Sequence, residues 1–401
     1  MTPSSADPSG ARRSAALVAT ACVLQVAESF IPHPVPGVRL GLANIVTLVT
    51  LAELGFAAAL EVALLRTVVA SLVLGSFLTP GFLLSFFSAA ASTAVMWVLL
   101  SVSARFPGKG FSIVGVSVAG ALAHNASQLG LAYLLLIRHE SIFYFAPWLA
   151  LSGLVTGWLT ALVAAEVLRR PDAFSLALPG VAGAAVPAPR RSYAPAVPAE
   201  LKLALACAAL LAAVFLRHPL AFPALGAGLL ALMAATRLPA AEYASLLRKL
   251  RGLSWLAAVS FLFPLFFTPA GGDLVQAGPF EFARAGLLSG SVFAARILVM
   301  GWTGFLLNVY ASPAELADAI GRLCRPFGRL GFPAERTGAV IGLAWGELPA
   351  FTARARAAAA AAVARGGWRG APLRWSVGLA AGVIAGMCVP GEAVSAETAA
   401  A

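Results

Sequence analysis

Nine polar side chains interrupt apolar runs in the first third of the chain: Gln25, Glu28, Arg39, Asn44, Glu61, Arg66, His124, Asn125 and Gln128. Inside a bilayer such groups are costly, so each marks a ligand contact or an interhelical bond. His124 and Gln128 are four residues apart and share a helix face, with Asn125 beside them. Glu28 and Arg39 flank a turn broken by Pro32, Pro34 and Pro36, which puts them at one end of a helical hairpin, close enough to pair. Lipid cannot satisfy so many hydrogen-bonding groups. The expected binding set is therefore Glu28, Arg39, Asn44, His124, Asn125 and Gln128. Mutual neutralisation, with no ligand, stays open for the same residues, above all for Glu61 and Arg66.

Other chemistry is excluded by what the sequence lacks. No GxxxxGK[ST] phosphate loop occurs, and Pro107–Ser112 (PGKGFS) has the wrong glycine spacing, so the chain should not hydrolyse ATP. The four aspartates, Asp7, Asp172, Asp273 and Asp318, are far apart, whereas holding magnesium against a diphosphate takes clustered oxygen ligands. His33, His124, His139 and His218 show no metal-ligand spacing, and no Ser–His–Asp set is readable. Cys22, Cys207, Cys324 and Cys388 suggest neither a metal site nor a disulfide framework. The expectation is a non-enzyme with no cofactor and no bound metal.

Composition supplies the setting. Of 401 residues 60% are hydrophobic and 11% charged, and the mean hydropathy is +0.87; soluble domains carry about 25% charged residues. The net charge of +11 is gathered at the ends of apolar runs (Arg12 and Arg13, Arg105 and Lys109, Arg169 and Arg170, Arg248 to Arg251). That is the pattern of membrane orientation rather than of nucleic-acid binding. Each span takes about 20 apolar residues. Six are expected in the first block: Ser14–Ile31, Val38–Ala52, Phe56–Leu74, Phe82–Ala104, Phe111–Ile137 and Ile142–Leu168. The first reads as a retained helix rather than a signal peptide. The amino terminus and a Pro/Ala-rich linker, residues 169–199, are then cytoplasmic.

The second block, residues 200–401, is less uniform. Spans are expected at Leu203–Leu216, Leu220–Ala235, Leu253–Phe267, Gly286–Val309 and Leu373–Val389. Two amphipathic stretches, AEYASLLRKLRGL and SPAELADAIGRLCRPFGRLGFP, should instead lie along the membrane surface or on a partner. Ser312, Pro313 and Glu315 open the latter with an N-cap, a first-turn proline and an early carboxylate.

Two resemblances follow. VAESFIPHPVPGVRLGLANIVTLVTLAELG, with GALAHNASQLGLAYLL and LSGLVTGW, resembles the Gx transporter family, also labelled heptaprenyl diphosphate synthase component I and related to the S components of energy-coupling factor transporters. It covers nearly all of Ala11–Leu168 and implies a six-helix bundle with a ligand pocket toward the outer face. The missing aspartates disagree with the synthase label. LFFTPAGG, SPAELADAIGRLCRPFGRLGFP and ELPAFTARARAAAAAAVARGG are similar to the T component of the same transporters, over about Glu200–Gly367. That resemblance implies cytoplasmic coupling helices whose Ala-Arg-Gly motifs dock into two ATPase subunits, and Ala364, Arg365 and Gly366 match the first motif. A second motif is missing, since Trp368-Arg369-Gly370 has a different spacing.

The expectation is an all-α polytopic membrane protein of two helical bundles: an S-like unit (1–168) joined by the linker to a T-like unit (200–401). It would sit in a prokaryotic plasma membrane and import a small vitamin-like or precursor molecule, with ATP hydrolysed by two separate ATP-binding cassette subunits and no nucleic acid involved. The alternatives are a membrane partner of a polyprenyl diphosphate synthase and a solitary carrier with a scaffold-like second half.

Overall fold

The computed structural model describes residues 8–29, 41–106, 110–169, 193, 197–269, 273–277, 279–325, 334–364 and 372–388. The expected linker falls largely outside them, as do Arg39, Arg365 and Gly366. The first block holds α1 (Pro8–Ser29), α2 (Leu42–Leu54), α3 (Phe56–Leu74), α4 (Pro80–Arg105), α5 (Ile113–Leu135), a 3-10 turn (Glu140–Phe145) and α6 (Ala146–Leu168). The second holds α7 (Ala199–Phe215), α8 (Ala221–Ala235), α9 (Ala240–Phe267), α10 (Arg284–Tyr310), α11 (Pro313–Cys324), α12 (Ala334–Ala364) and α13 (Pro372–Cys388). A short antiparallel hairpin, β1 (Leu274–Ala277) with β2 (Phe280–Ala283), joins α9 to α10. Among the described residues five segments are long and apolar enough to cross a membrane: Phe56–Leu74, Pro80–Arg105, Glu140–Leu168, Ala240–Phe267 and Arg284–Tyr310. The protein is an all-α polytopic membrane protein.

Local chemistry sets the helix ends. Gly55, at φ +82°, is the single residue between α2 and α3, a backbone conformation that only a residue without Cβ adopts freely. The Ser112 side chain accepts from the N–H of Gly115 and starts α5. At α11, Ser312 and Glu315 form the reciprocal capping box that their spacing suggests, with Pro313 in the first turn.

One expectation is corrected. AEYASLLRKLRGL is not a separate surface helix; it runs without a break into the following apolar residues as α9. Leu246 has a protein surface to cover, being buried in a small cluster with Met233, Leu238, Phe305, Leu306 and Tyr310, and Leu250 packs against it. Lys249 lies 5.4 Å from the centre of the Phe305 ring, so the basic face is partly accommodated by α10.

The two blocks also do not stand apart. One buried apolar cluster runs from Ala11 in α1 to Met387 in α13. Helix α12 packs along α1, and α13 packs against α6. Arg296, in the middle of α10 and almost fully buried, donates to the carbonyls of Ala213 (3.0 Å), Leu216 (3.0 Å) and Leu136 (2.9 Å). Those carbonyls lie at the carboxyl ends of α7 and α5, where helices leave acceptors without internal partners and attract positive charge. A single guanidinium thus caps one helix from each block.

Candidate functional site

The first block encloses a polar cavity of about 50 Å³ among α1, α2, α3, α4, α5 and α6. Gln25 and Glu28 come from α1, Asn44 from α2, Arg66 and Thr67 from α3, Ser85 from α4, His124 and Asn125 from α5, and Thr156 and Thr160 from α6. Small residues let these helices approach. A Cβ on Gly157 of α6 would stand 2.7 Å from Cα of Val118, and the Ser117 hydroxyl donates to the Gly157 carbonyl at 2.7 Å.

Glu28 is buried, and its two oxygens accept from the backbone N–H groups of Gly41 (2.9 Å) and Leu42 (3.1 Å). It therefore caps the positive end of α2. The expected partner, Arg39, lies outside the described residues. Arg66 donates Nη1 to Gln25 Oε1 at 2.9 Å and Nη2 to Asn44 Oδ1 at 2.5 Å, tying three helices together at the cavity wall. Asn125 Nδ2 donates to the Leu149 carbonyl (2.8 Å) and to Ser152 Oγ (3.2 Å), so its amide also joins α5 to α6.

Of the expected set, Glu28, Asn44, His124 and Asn125 meet at this cavity. Gln128 does not line it. One helical turn further along α5, Gln128 faces a second, larger space of about 610 Å³ between the first block and α9. Gln25 and Arg66 line the cavity although the expected set omits them. The sequence leaves Arg66 open as a partner for Glu61, but Arg66 turns to Gln25 and Asn44, since residues five apart do not share a helix face as those three or four apart do. Glu61 turns instead to Ser14 Oγ (2.7 Å) and to Arg336 Nη2 of α12 (3.0 Å). The hydroxyls of Thr67, Ser85, Thr156 and Thr160 give little sequence signal, because serine and threonine are common in spans and bond their own helix carbonyls.

The cavity offers neutral amides, hydroxyls, an imidazole, one guanidinium and one carboxylate. These are groups for holding a ligand. Among the described residues no cluster of His, Cys, Asp or Glu could hold a metal ion. Ala364 is exposed at the end of α12; Arg365 and Gly366 follow it beyond the described residues.

Fold and site together define a polytopic helical membrane protein with a polar cavity in its first block. Comparison with known families finds two matching regions. Residues 17–167 match the family described as heptaprenyl diphosphate synthase component I, and residues 191–389 match the family described as cobalt transport protein. The chain thus joins two regions, each similar to one of these families. The second region is similar to the energy-coupling factor transporter transmembrane protein EcfT of several bacteria. With that of Listeria innocua it is 25% identical over 103 residues, 26% of this chain and 39% of the relative. With that of Bacillus selenitireducens it is 27% identical over 133 residues, 33% and 48%. With that of Bacillus subtilis it is 23% identical over 142 residues, 35% and 52%. The chain thus spans about half or less of the length of these relatives.

Proposed function

We propose that the chain is the membrane component of an energy-coupling factor type importer, with a substrate-binding unit and a coupling unit in one polypeptide. The observation that carries this reading is the docking of α12 on α1. A helix from the region similar to transporter transmembrane proteins lies against a helix that lines the cavity, joined to it by the Arg336–Ser14 hydrogen bond and to α3 by the Arg336–Glu61 ion pair. Movement of the coupling region would reach the cavity through one packed helix. Glu28, Asn44, His124, Asn125 and Gln128 form the substrate site, and Arg39 belongs to the same set by sequence. Ala364, Arg365 and Gly366 dock one of two separate ATP-binding cassette subunits. The protein resides in the prokaryotic plasma membrane, with the amino terminus and linker on the cytoplasmic side. It is a transporter subunit rather than an enzyme, since its scattered aspartates give a diphosphate-bound magnesium nothing to sit on.

The test is co-expression of the chain with candidate ATPase subunits, followed by pull-down and ATP-dependent uptake in proteoliposomes. Capture of both subunits and uptake that stops without ATP support the importer. Capture of a soluble aspartate-rich synthase in their place would favour the synthase partner, and ATP-independent uptake the solitary carrier. Orientation is tested separately: protease added to inside-out vesicles should cut first within residues 170–198.

A further inference from the structure

The polar cavity is too small for the substrate expected of it. Its 50 Å³ holds only a few atoms, while pockets that bury a drug-sized ligand run to about 300–1,000 Å³. The neighbouring space of about 610 Å³ lies in that range. Gln25, Glu28, Thr67 and Ser85 line both, so the two are adjacent. Away from that shared rim the larger space changes character. Its walls are mostly apolar, with Phe82, Leu129 and Trp148 from the first block and Leu253, Trp255 and Leu256 from α9.

We infer that the substrate is a single-chain amphiphile. Its compact, oxygen-bearing head sits in the polar cavity beside Arg66 and Asn44, and its apolar chain lies in the chamber between the first block and α9. A wholly polar molecule of vitamin size would have to leave most of its polar groups against the leucines and aromatics of the chamber, at a cost for each unpartnered group. The chamber also explains why a coupling unit is joined covalently to this bundle: α9 supplies one wall of the site. The identity of the bound molecule as cargo rests on the importer reading; its two-part chemistry does not.

Gly252 of α9 lines the chamber, and a Cβ there would meet no heavy atom within 4 Å. Gly252→Phe should therefore fill the space without disturbing the packing around it, and Gly81→Phe, equally open on the α4 side, is a second such variant. The probe is a single-chain alkyl phosphate with a terminal diazirine, applied to the full chain in nanodiscs, with labelled residues mapped by mass spectrometry. Saturable labelling should map to Gly252–Val259 and to Trp148–Leu149. It should fall at least about tenfold in Gly252→Phe, which removes room for roughly two methylenes. Inorganic phosphate should not displace it. Labelling that is not saturable, or is equal in both glycine variants and the wild type, overturns the proposal. So does labelling of the same residues by a two-chain phospholipid diazirine probe, which would make the chamber a bilayer-lipid site. The importer can fail separately: chamber labelling without ATP-driven uptake sinks the importer and leaves the amphiphile, while ATP-driven uptake of a chainless solute does the reverse.

Discussion

Arg336 in α12 and Glu61 in α3, 275 residues apart in sequence, form an ion pair of 3.0 Å that Ser14 of α1 completes by hydrogen bonding to both. One charge belongs to the second block and the other to the first. Each is partly sheltered from solvent, so the pair should matter more than an exposed one and less than a fully buried one.

Removing one partner tests that joint. Glu61→Gln should lower stability in detergent by about 1–2 kcal/mol, read as a drop in melting temperature, because Arg336 then loses its counter-charge. Arg336→Gln should cost about the same, and the double variant should recover part of the loss, since the two residues act as one unit. Fully additive losses would mean that the residues are not coupled.

Arg296 offers a harsher test. Its truncation to Met leaves carbonyls of Ala213, Leu216 and Leu136 without their donor inside the protein. The expected loss is about 3 kcal/mol or more, with two helix ends from different blocks affected together. Arg296→Lys should recover little, because one ammonium cannot reproduce the three-way fork. Monodispersity on size exclusion and a thermal melt in detergent are the readouts.

Two neighbours on α5 should behave differently. Asn125→Ala removes bonds to Leu149 and Ser152 and should destabilise the bundle by about 1 kcal/mol while weakening ligand retention. Gln128→Ala, at the edge of the larger chamber, should weaken ligand retention and leave the melting temperature unchanged. If Gln128→Ala loses stability and keeps its ligand, Gln128 is an interhelical bond and not part of the site.

Arg365→Glu tests the coupling surface. A desolvated interface arginine is typically worth on the order of 2 kcal/mol or more. The charge reversal should release co-expressed ATPase subunits and abolish ATP-dependent uptake, with ligand binding in the first block unchanged. Uptake that survives it would leave the second block without a coupling role through this motif.

The sequence alone determined what depends on neighbours along the chain. Apolar runs of bilayer length gave the helical membrane class, the Ser312–Glu315 spacing gave the start of α11, and glutamate, asparagine and histidine inside apolar runs marked where a cavity would form. These signals are local, because a helix satisfies its own backbone and its breaks and caps are written in adjacent residues. Partner choice is not local. Glu61 could pair with Arg66 by sequence, yet packing turned Arg66 to Gln25 and Asn44 and brought Arg336 to Glu61 from the far half of the chain. His124 and Gln128 share a face, but four residues of helix rise about 6 Å, enough to place one in the polar cavity and the other in the apolar chamber. The chamber exists only because α9 lies against the first block, and that follows from tertiary packing, where apolar helices have many near-equal partners and a few buried polar groups decide among them.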